Sequence, residues 1–273
     1  MIEPKDIIQQ KMIEIEKEHE IKVLFAIENG SRNWGIESKN SDYDVRFVYK
    51  RSIKEYLKIN KREEVIMQHY DAEGKKCPQQ GCYYDIVGFD IYKFSKMLSS
   101  SNPQVIEWLT SKIIYCGERS KTFTHYALTN FNPISLYYHY KSMCKSNYEK
   151  YIKSYNEVTY KKYLYAMRGL INAKFVQHFK EIPPIDFPET IQKSRTKTIT
   201  DGIANKMLDI IRLKKEGKEK DIIGNIPEVD NFIEEFLKKN DEMKNVTFKK
   251  TRTDNELQQE IWNNIGVETT NES

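Results

Sequence analysis

No apolar run approaches the roughly 18 residues that a membrane-crossing helix needs, which excludes an integral membrane role of the helical kind. The opening residues, Met1-Ile2-Glu3-Pro4-Lys5-Asp6, lack the charged-then-apolar layout of a secretory leader, so the expected location is the cytoplasm. Cysteine is scarce. Cys77, Cys82, Cys116 and Cys144 are the full set, too few and too scattered for a disulfide framework, and they read as free thiols. Cys77 and Cys82 have no second Cys/His pair at finger spacing, and the five histidines form no local ligand motif, so a zinc fold is not indicated. Internal repeats and low-complexity tracts are absent. A net charge of +4 is too small to argue for a nucleic-acid partner by itself.

What is present is a chain of 273 residues, long enough for one large domain or two small ones. Its hydrophobic share of 39% is modest, but 12% aromatics argue against global disorder. Charge is unevenly spread. Between positions 101 and 180 there are 12 Lys and Arg against 4 Asp and Glu, and 11 of the 18 tyrosines. Positive charge interleaved with Tyr suits phosphate binding with base stacking, and it suits equally a solvated helical surface over a Tyr-filled core.

The first half alternates helix and strand patterns. Residues 4–19 carry Ile8, Met12 and Ile15 on one helical stripe. Strands are expected at 23–27, 42–49, 65–70 and 82–87, and a capping-box helix from Ser52 toward Ile59. The segment 71–81 is a polar, turn-rich loop. Asp90 opens a helix through Leu98, and Asn102-Pro103 starts another. Beyond Asn132 helical patterns take over, at 133–156, 158–180, 188–216 and 228–243, with Trp262 anchoring a last helix at 254–264. The expected division is 1–125 as a catalytic core, 126–245 as a helical domain completing the nucleotide and acceptor cleft, and 246–273 as a polar tail, disordered from Val267. The Lys214–Lys220 run reads as a solvated loop.

One constellation carries chemistry. An apolar strand, Val23 to Ile27, runs into Glu28-Asn29-Gly30-Ser31, and a second strand follows with Asp42 and Asp44 two positions apart. Side chains alternate along a strand, so the two carboxylates project from one face, with Cα atoms roughly 6–7 Å apart. Such a pair can grip one divalent ion, or two neighbouring ones. Gly30 brings bare backbone, and Ser31 a hydroxyl and an N–H, as a triphosphate requires. Arg32 and Asn33 then lie within reach of phosphate or sugar. A third carboxylate has two candidates. Asp85 sits inside Tyr83-Tyr84-Asp85-Ile86-Val87, where an unpaired charge is costly unless a metal relieves it; a helix-capping role explains Asp90 fully. Asp85 is preferred, with Asp90 the alternative. Arg46 shares the face of the aspartates and is placed to orient Asp44. Lys161, Tyr165 and Arg168 fall at i, i+4 and i+7, on one helix face.

Gly30-Ser31-Arg32-Asn33-Trp34-Gly35 with Ser41-Asp42-Tyr43-Asp44-Val45-Arg46-Phe47 resembles the signature of DNA polymerase β-type nucleotidyltransferases, and more narrowly the RNA-repair-pathway branch. Gly88-Phe89-Asp90, Asn102-Pro103 with Glu107-Trp108-Leu109, Lys162 to Arg168, and Pro183-Pro184 with Phe187 extend the likeness from about Ile21 to about Glu189. The resemblance implies an α/β fold: a nucleotidyltransferase core of mixed sheet with flanking helices, followed by an α-helical C-terminal domain. It implies transfer of a nucleoside monophosphate from a nucleoside triphosphate to an acceptor hydroxyl with release of pyrophosphate, on Mg²⁺ or Mn²⁺ held by Asp42, Asp44 and Asp85. The third carboxylate can also act as base. The expected acceptor is an RNA or tRNA end. Two other readings are a protein adenylyltransferase of the toxin–antitoxin kind and an inactive nucleotide- or RNA-binding module. The nucleotide's base and the oligomeric state are not legible in the chain.

Overall fold

The computed structural model describes residues 3–60, 62–78, 82–154, 157–239, 243, 245–250 and 254–267. Two compact units emerge, and the chain passes between them more than once. The first contains Met1–Asn33, Asp42–Asn130 and Lys250–Ser273; the second contains Trp34–Ser41 and Phe131–Lys249.

In the first unit, α1 (Pro4–His19) has proline in its first turn, where the missing N–H costs nothing. It buries Ile8, Met12 and Ile15, the stripe expected from their spacing. β1 (Lys22–Asn29), the one-turn α2 (Gly30–Asn33) and β2 (Tyr43–Lys50) follow. Then come α3 (Ile53–Tyr56), β3 (Val65–Tyr70), β4 (Tyr84–Asp90), α4 (Ile91–Ser99), α5 (Pro103–Thr110), β5 (Ile114–Gly117) and α6 (Lys121–Asn130). The strands form a mixed sheet in the order β3-β4-β2-β1-β5. β2 runs parallel to β4 and antiparallel to β1. Val45, Phe47 and Tyr49 join the stripe of α1 in one apolar cluster, so by alternation Asp44 and Arg46 point to the other side of the strand. A separate aromatic group, Phe25, Phe89, Phe94, Trp108 and Phe123, packs α4, α5 and α6 together with β1 and β4.

The second unit is helical: α7 (Pro133–Tyr151), α8 (Tyr160–Phe179), α9 (Phe187–Ser194), α10 (Asp201–Lys215) and α11 (Pro227–Lys238). α8 is its centre, with Leu164, Met167, Leu170 and Ile171 fully buried. The chain then returns to the first unit as α12 (Asp254–Ile265), where Glu260 accepts from Ser120 Oγ and Asp254 from Ser99 Oγ. No helix among the described residues is long and apolar enough to cross a membrane.

Several local expectations shift. The 188–216 pattern is two helices, because the segment after Ser194 folds back through an Arg195–Ile199 bridge with Thr196 at φ 60°. The helix after Ser52 stops at Tyr56, and the Ser52 side chain makes no cap bond. β4 begins at Tyr84, not Cys82, and extends to Asp90. β5 and α6 carry no pattern strong enough to read. In α12 the buried anchors are Leu257 and Ile261, whereas Trp262 is 37% exposed. α7 ends at Tyr151 and α11 at Lys238, short of the expected 156 and 243; the expected disorder over 268–273 and positions 79–81, 155–156 and 240–242 lie outside the described residues.

Candidate active site

β1 ends at Asn29, and the backbone turns at once. Gly30 adopts φ +63°, the left-handed region that L side chains avoid. Space demands glycine there as well, since a Cβ on residue 30 would stand 1.9 Å from Asp44 Oδ2. The bare turn therefore lies directly over the Asp44 carboxylate. Asp44 is paired in register with Asn29 on one side and with Asp85 on the other, across the parallel β2–β4 ladder. Gly30, Asp44 and Asp85 are thus brought together by three adjacent elements. Asp90 goes elsewhere. It sits five positions along β4, opposite Tyr49, fully buried; its Oδ1 accepts from Tyr92 N at 2.9 Å as the cap of α4, and its Oδ2 accepts from Tyr56 Oη.

Asp85 is held by two neighbours. Arg46 Nη2 stands 2.9 Å from Asp85 Oδ2 and 3.8 Å from Asp44 Oδ1, and His69 Nδ1 stands 3.1 Å from Asp85 Oδ1. Asp44 and Asp85 each keep 23% of their side-chain surface exposed. Oxygen donors of this kind suit a hard cation such as Mg²⁺, and the buried Gly30 turn packs directly against Asp44. Among the described residues, however, no three Asp, Glu, His or Cys side chains already stand in a metal-gripping cluster. Arg46 supplies the positive charge between the two carboxylates.

The other expected residues fall into two groups. Arg32 folds back on the start of β2, with Nε donating to Asp42 O at 3.2 Å and its guanidinium 3.9 Å from the Tyr43 ring centroid. Ser31 is buried, and Asn33 is buried with its Oδ1 accepting from Ser111 Oγ at 2.9 Å. Within the second unit, Arg168 stacks on Trp34 at 3.7 Å, Tyr165 meets the same ring edge-on at 5.9 Å, and Lys161 Nζ lies 6.0 Å over Tyr165. The i, i+4, i+7 spacing does bring Lys161, Tyr165 and Arg168 to one face, with Trp34 gathered into it.

Glu28 escaped the sequence reading. It is fully buried behind the turn, where its Oε1 accepts from Asp44 N at 3.0 Å and its Oε2 accepts from the Tyr115 hydroxyl. Its position at the end of the apolar run Leu24-Phe25-Ala26-Ile27 was a usable signal, the same one that marked Asp85. Burial pushes its carboxyl up to about 8, against the opposing pull of these hydrogen bonds. The native state therefore holds this proton more tightly than the unfolded chain. The stabilisation is fully present below pH 4.5 and is lost progressively as pH rises through about 8. In metal-free buffer, urea denaturation between pH 5 and 9 should show a decline on the order of 4 kcal/mol at most from this group. The decline flattens in Glu28→Gln; an unchanged pH slope in that variant shows the assignment to be wrong.

A glycine turn seated on a strand carboxylate, with a second carboxylate in register on the next strand, is the arrangement of a polymerase β-type nucleotidyltransferase. The chain belongs to the RNA repair pathway DNA polymerase beta family, which it matches over residues 5–261. The protein of Bacillus subtilis (strain 168) described as uncharacterized protein YcgL is 29% identical over 232 residues, 84% of each chain. The crystal structure of a nucleotidyltransferase-like protein from Exiguobacterium sibiricum 255-15 aligns with 93% of this chain and 76% of its own, at 12% identity and a TM-score of 0.30.

Proposed function

We propose that this nucleotidyltransferase moves a nucleoside monophosphate from a nucleoside triphosphate to the hydroxyl of an RNA or tRNA end. The observation that carries the reading is the seating of the Gly30 turn on Asp44, itself in register with Asp85. The acceptor oxygen forms a bond to the α-phosphorus, the bond from that phosphorus to the bridging oxygen breaks, and pyrophosphate departs. Asp42, Asp44 and Asp85 would hold Mg²⁺ or Mn²⁺, with Arg46 beside Asp44 and Asp85. When bound, the metal neutralises charge on the phosphates and acidifies the attacking hydroxyl. Asp85 receives the hydroxyl proton. Backbone N–H groups of Gly30 and Ser31 meet the phosphates, with Arg32 and Asn33 shaping the turn. Lys161 serves the triphosphate and Tyr165 the base, while Arg168 keeps Trp34 in place beside them.

The RNA acceptor is supported by the family and by the basic character of residues 101–180. The tyrosines of that stretch support it less than their number suggested. Tyr115, Tyr126, Tyr137, Tyr140, Tyr148 and Tyr163 fill the interior, and Tyr138 is an exposed one. The test is incubation of the purified chain with each α-labelled nucleoside triphosphate, Mg²⁺ and total cellular RNA. Label on RNA, removed by nuclease, is the expected result. Label that resists nuclease and runs with polypeptide replaces the RNA acceptor with a protein one, and no incorporation with any nucleotide overturns the proposal.

A further inference from the structure

The Lys214–Lys220 run, which reads as a solvated loop, contains a buried ion pair. Lys214 is 1% exposed, and its ammonium donates to Glu219 Oε2, itself in a residue 7% exposed. Burial raises the Glu219 carboxyl, but the hydrogen bond and charge of Lys214 outweigh it and hold the group below the ordinary carboxylate value. Buried ion pairs are weak devices for stability, because desolvation consumes most of the attraction. The surroundings of this one show what else it does.

Glu219 Oε2 also accepts from Ser38 Oγ at 3.3 Å. Ser38 in turn is locked to Ser41: Ser38 N donates to Ser41 Oγ at 2.9 Å, and Ser41 N donates to Ser38 O at 3.1 Å. Both serines are buried. The main-chain oxygen of Glu219 accepts from Lys161 N at 3.1 Å, so the same residue touches the first turn of α8. The opposite end of this segment is fixed as firmly. Trp34 lies under Arg168, its carbonyl accepts from Phe187 N at 2.9 Å, and Gly35, at φ +69°, lets Asp186 approach so closely that a Cβ would stand 2.5 Å from Oδ2. Residues 34–41 are the stretch between the Gly-Ser turn and the first aspartate, and Ser41 is joined to Asp42 by a peptide bond. Untethered, eight residues would sample many conformations and scatter the direction of the next side chain.

We infer that Lys214 and Glu219 are a positioning pair: through Ser38 and Ser41 they fix the backbone that enters Asp42, and so the aim of the Asp42 carboxylate at a divalent cation. The inference rests on the proposed metal role of Asp42 and Asp44. What Ser38 requires is an acceptor oxygen at position 219, held in place by its neighbour.

Mn²⁺ affinity, read by electron paramagnetic resonance of the free ion, tests this without catalysis, with circular dichroism confirming the fold of each variant. The comparison uses Ser38→Ala, the double variants K214M/E219L and K214M/E219Q, and D42A/D44A. Outer-sphere changes of this type cost roughly 10-fold or more in metal affinity, and that loss is expected in Ser38→Ala and K214M/E219L. K214M/E219Q, whose amide oxygen still accepts from Ser38, should bind near the wild-type level. If both double variants lose affinity alike, the acceptor role is overturned. If D42A/D44A loses Mn²⁺ while Ser38→Ala and K214M/E219L keep it, this inference alone falls. If D42A/D44A binds as the wild type does, the metal reading of the aspartates fails and takes the inference with it. Should K214M/E219L not fold, Ser38→Ala decides the matter alone.

Discussion

Replacing Asp42 and Asp44 together by alanine should eliminate transfer while leaving the circular dichroism spectrum intact. Neither carboxylate belongs to the core: Asp44 alternates with Val45, Phe47 and Tyr49 of the apolar cluster, and Asp42 precedes β2. Removing the pair also relieves repulsion across the β2–β4 ladder, where Asp44 and Asp85 face one another with Arg46 between them. Charge stabilisation by a bound metal is worth several kcal/mol in a transition state, and each 1.36 kcal/mol is tenfold in rate, so a loss of about 1,000-fold or more is expected. Pyrophosphate release, followed with a coupled colorimetric assay, measures it. A double variant that releases pyrophosphate at the wild-type rate would remove the aspartates from the chemistry.

Gly30→Ala should be nearly as damaging, for a steric reason. A left-handed backbone costs an L residue about 1–2 kcal/mol, which the fold can absorb. The larger effect is local, because the new methyl group would lie 1.9 Å from Asp44 Oδ2, well inside contact distance. Either the turn lifts off β2 or the carboxylate rotates away, and in both cases the close packing of the Gly30 turn on Asp44 is lost. Stability should fall by roughly 1–2 kcal/mol, whereas Mn²⁺ affinity and transfer fall much further. A lowered melting temperature with Mn²⁺ affinity at the wild-type level would reduce Gly30 to a folding residue.

Much of the first unit was legible because its signals are local. Ile8, Met12 and Ile15 mark a helix by spacing alone, and Asp42 to Phe47 mark a strand with a wet face and a dry one. The glycine turn and the place of Asp44 on β2 were readable for the same reason, since adjacent residues in regular elements have known directions, whereas Asp42 falls just before the strand. Asp85 could be preferred over Asp90 from the cost of burying a charge in an apolar run, and the β2–β4 register sets Asp85 beside Asp44. What could not be read depends on partners distant in the chain. His69 reaches Asp85 only through the β3–β4 pairing, and Tyr115 reaches Glu28 across 87 positions. The Lys214–Glu219 pair looked like ordinary surface charge because Ser38, which gives it a purpose, is 181 residues from Glu219. β5 spans only Ile114–Gly117, too short to show a period, and exists because β1 offers it an edge.

The return of α12 to the first unit has a bearing on how the protein is made. Lys50 donates to the Asn264 carbonyl, Ser120 to Glu260, and Ser99 to Asp254. On a ribosome, the sheet emerges well before the helix that packs on α4 and α6. Until then the nascent chain exposes the apolar surface meant for Leu257 and Ile261, so a truncation before Asp254 leaves the first unit open to aggregation even though Gly30, Asp44 and Asp85 are all present.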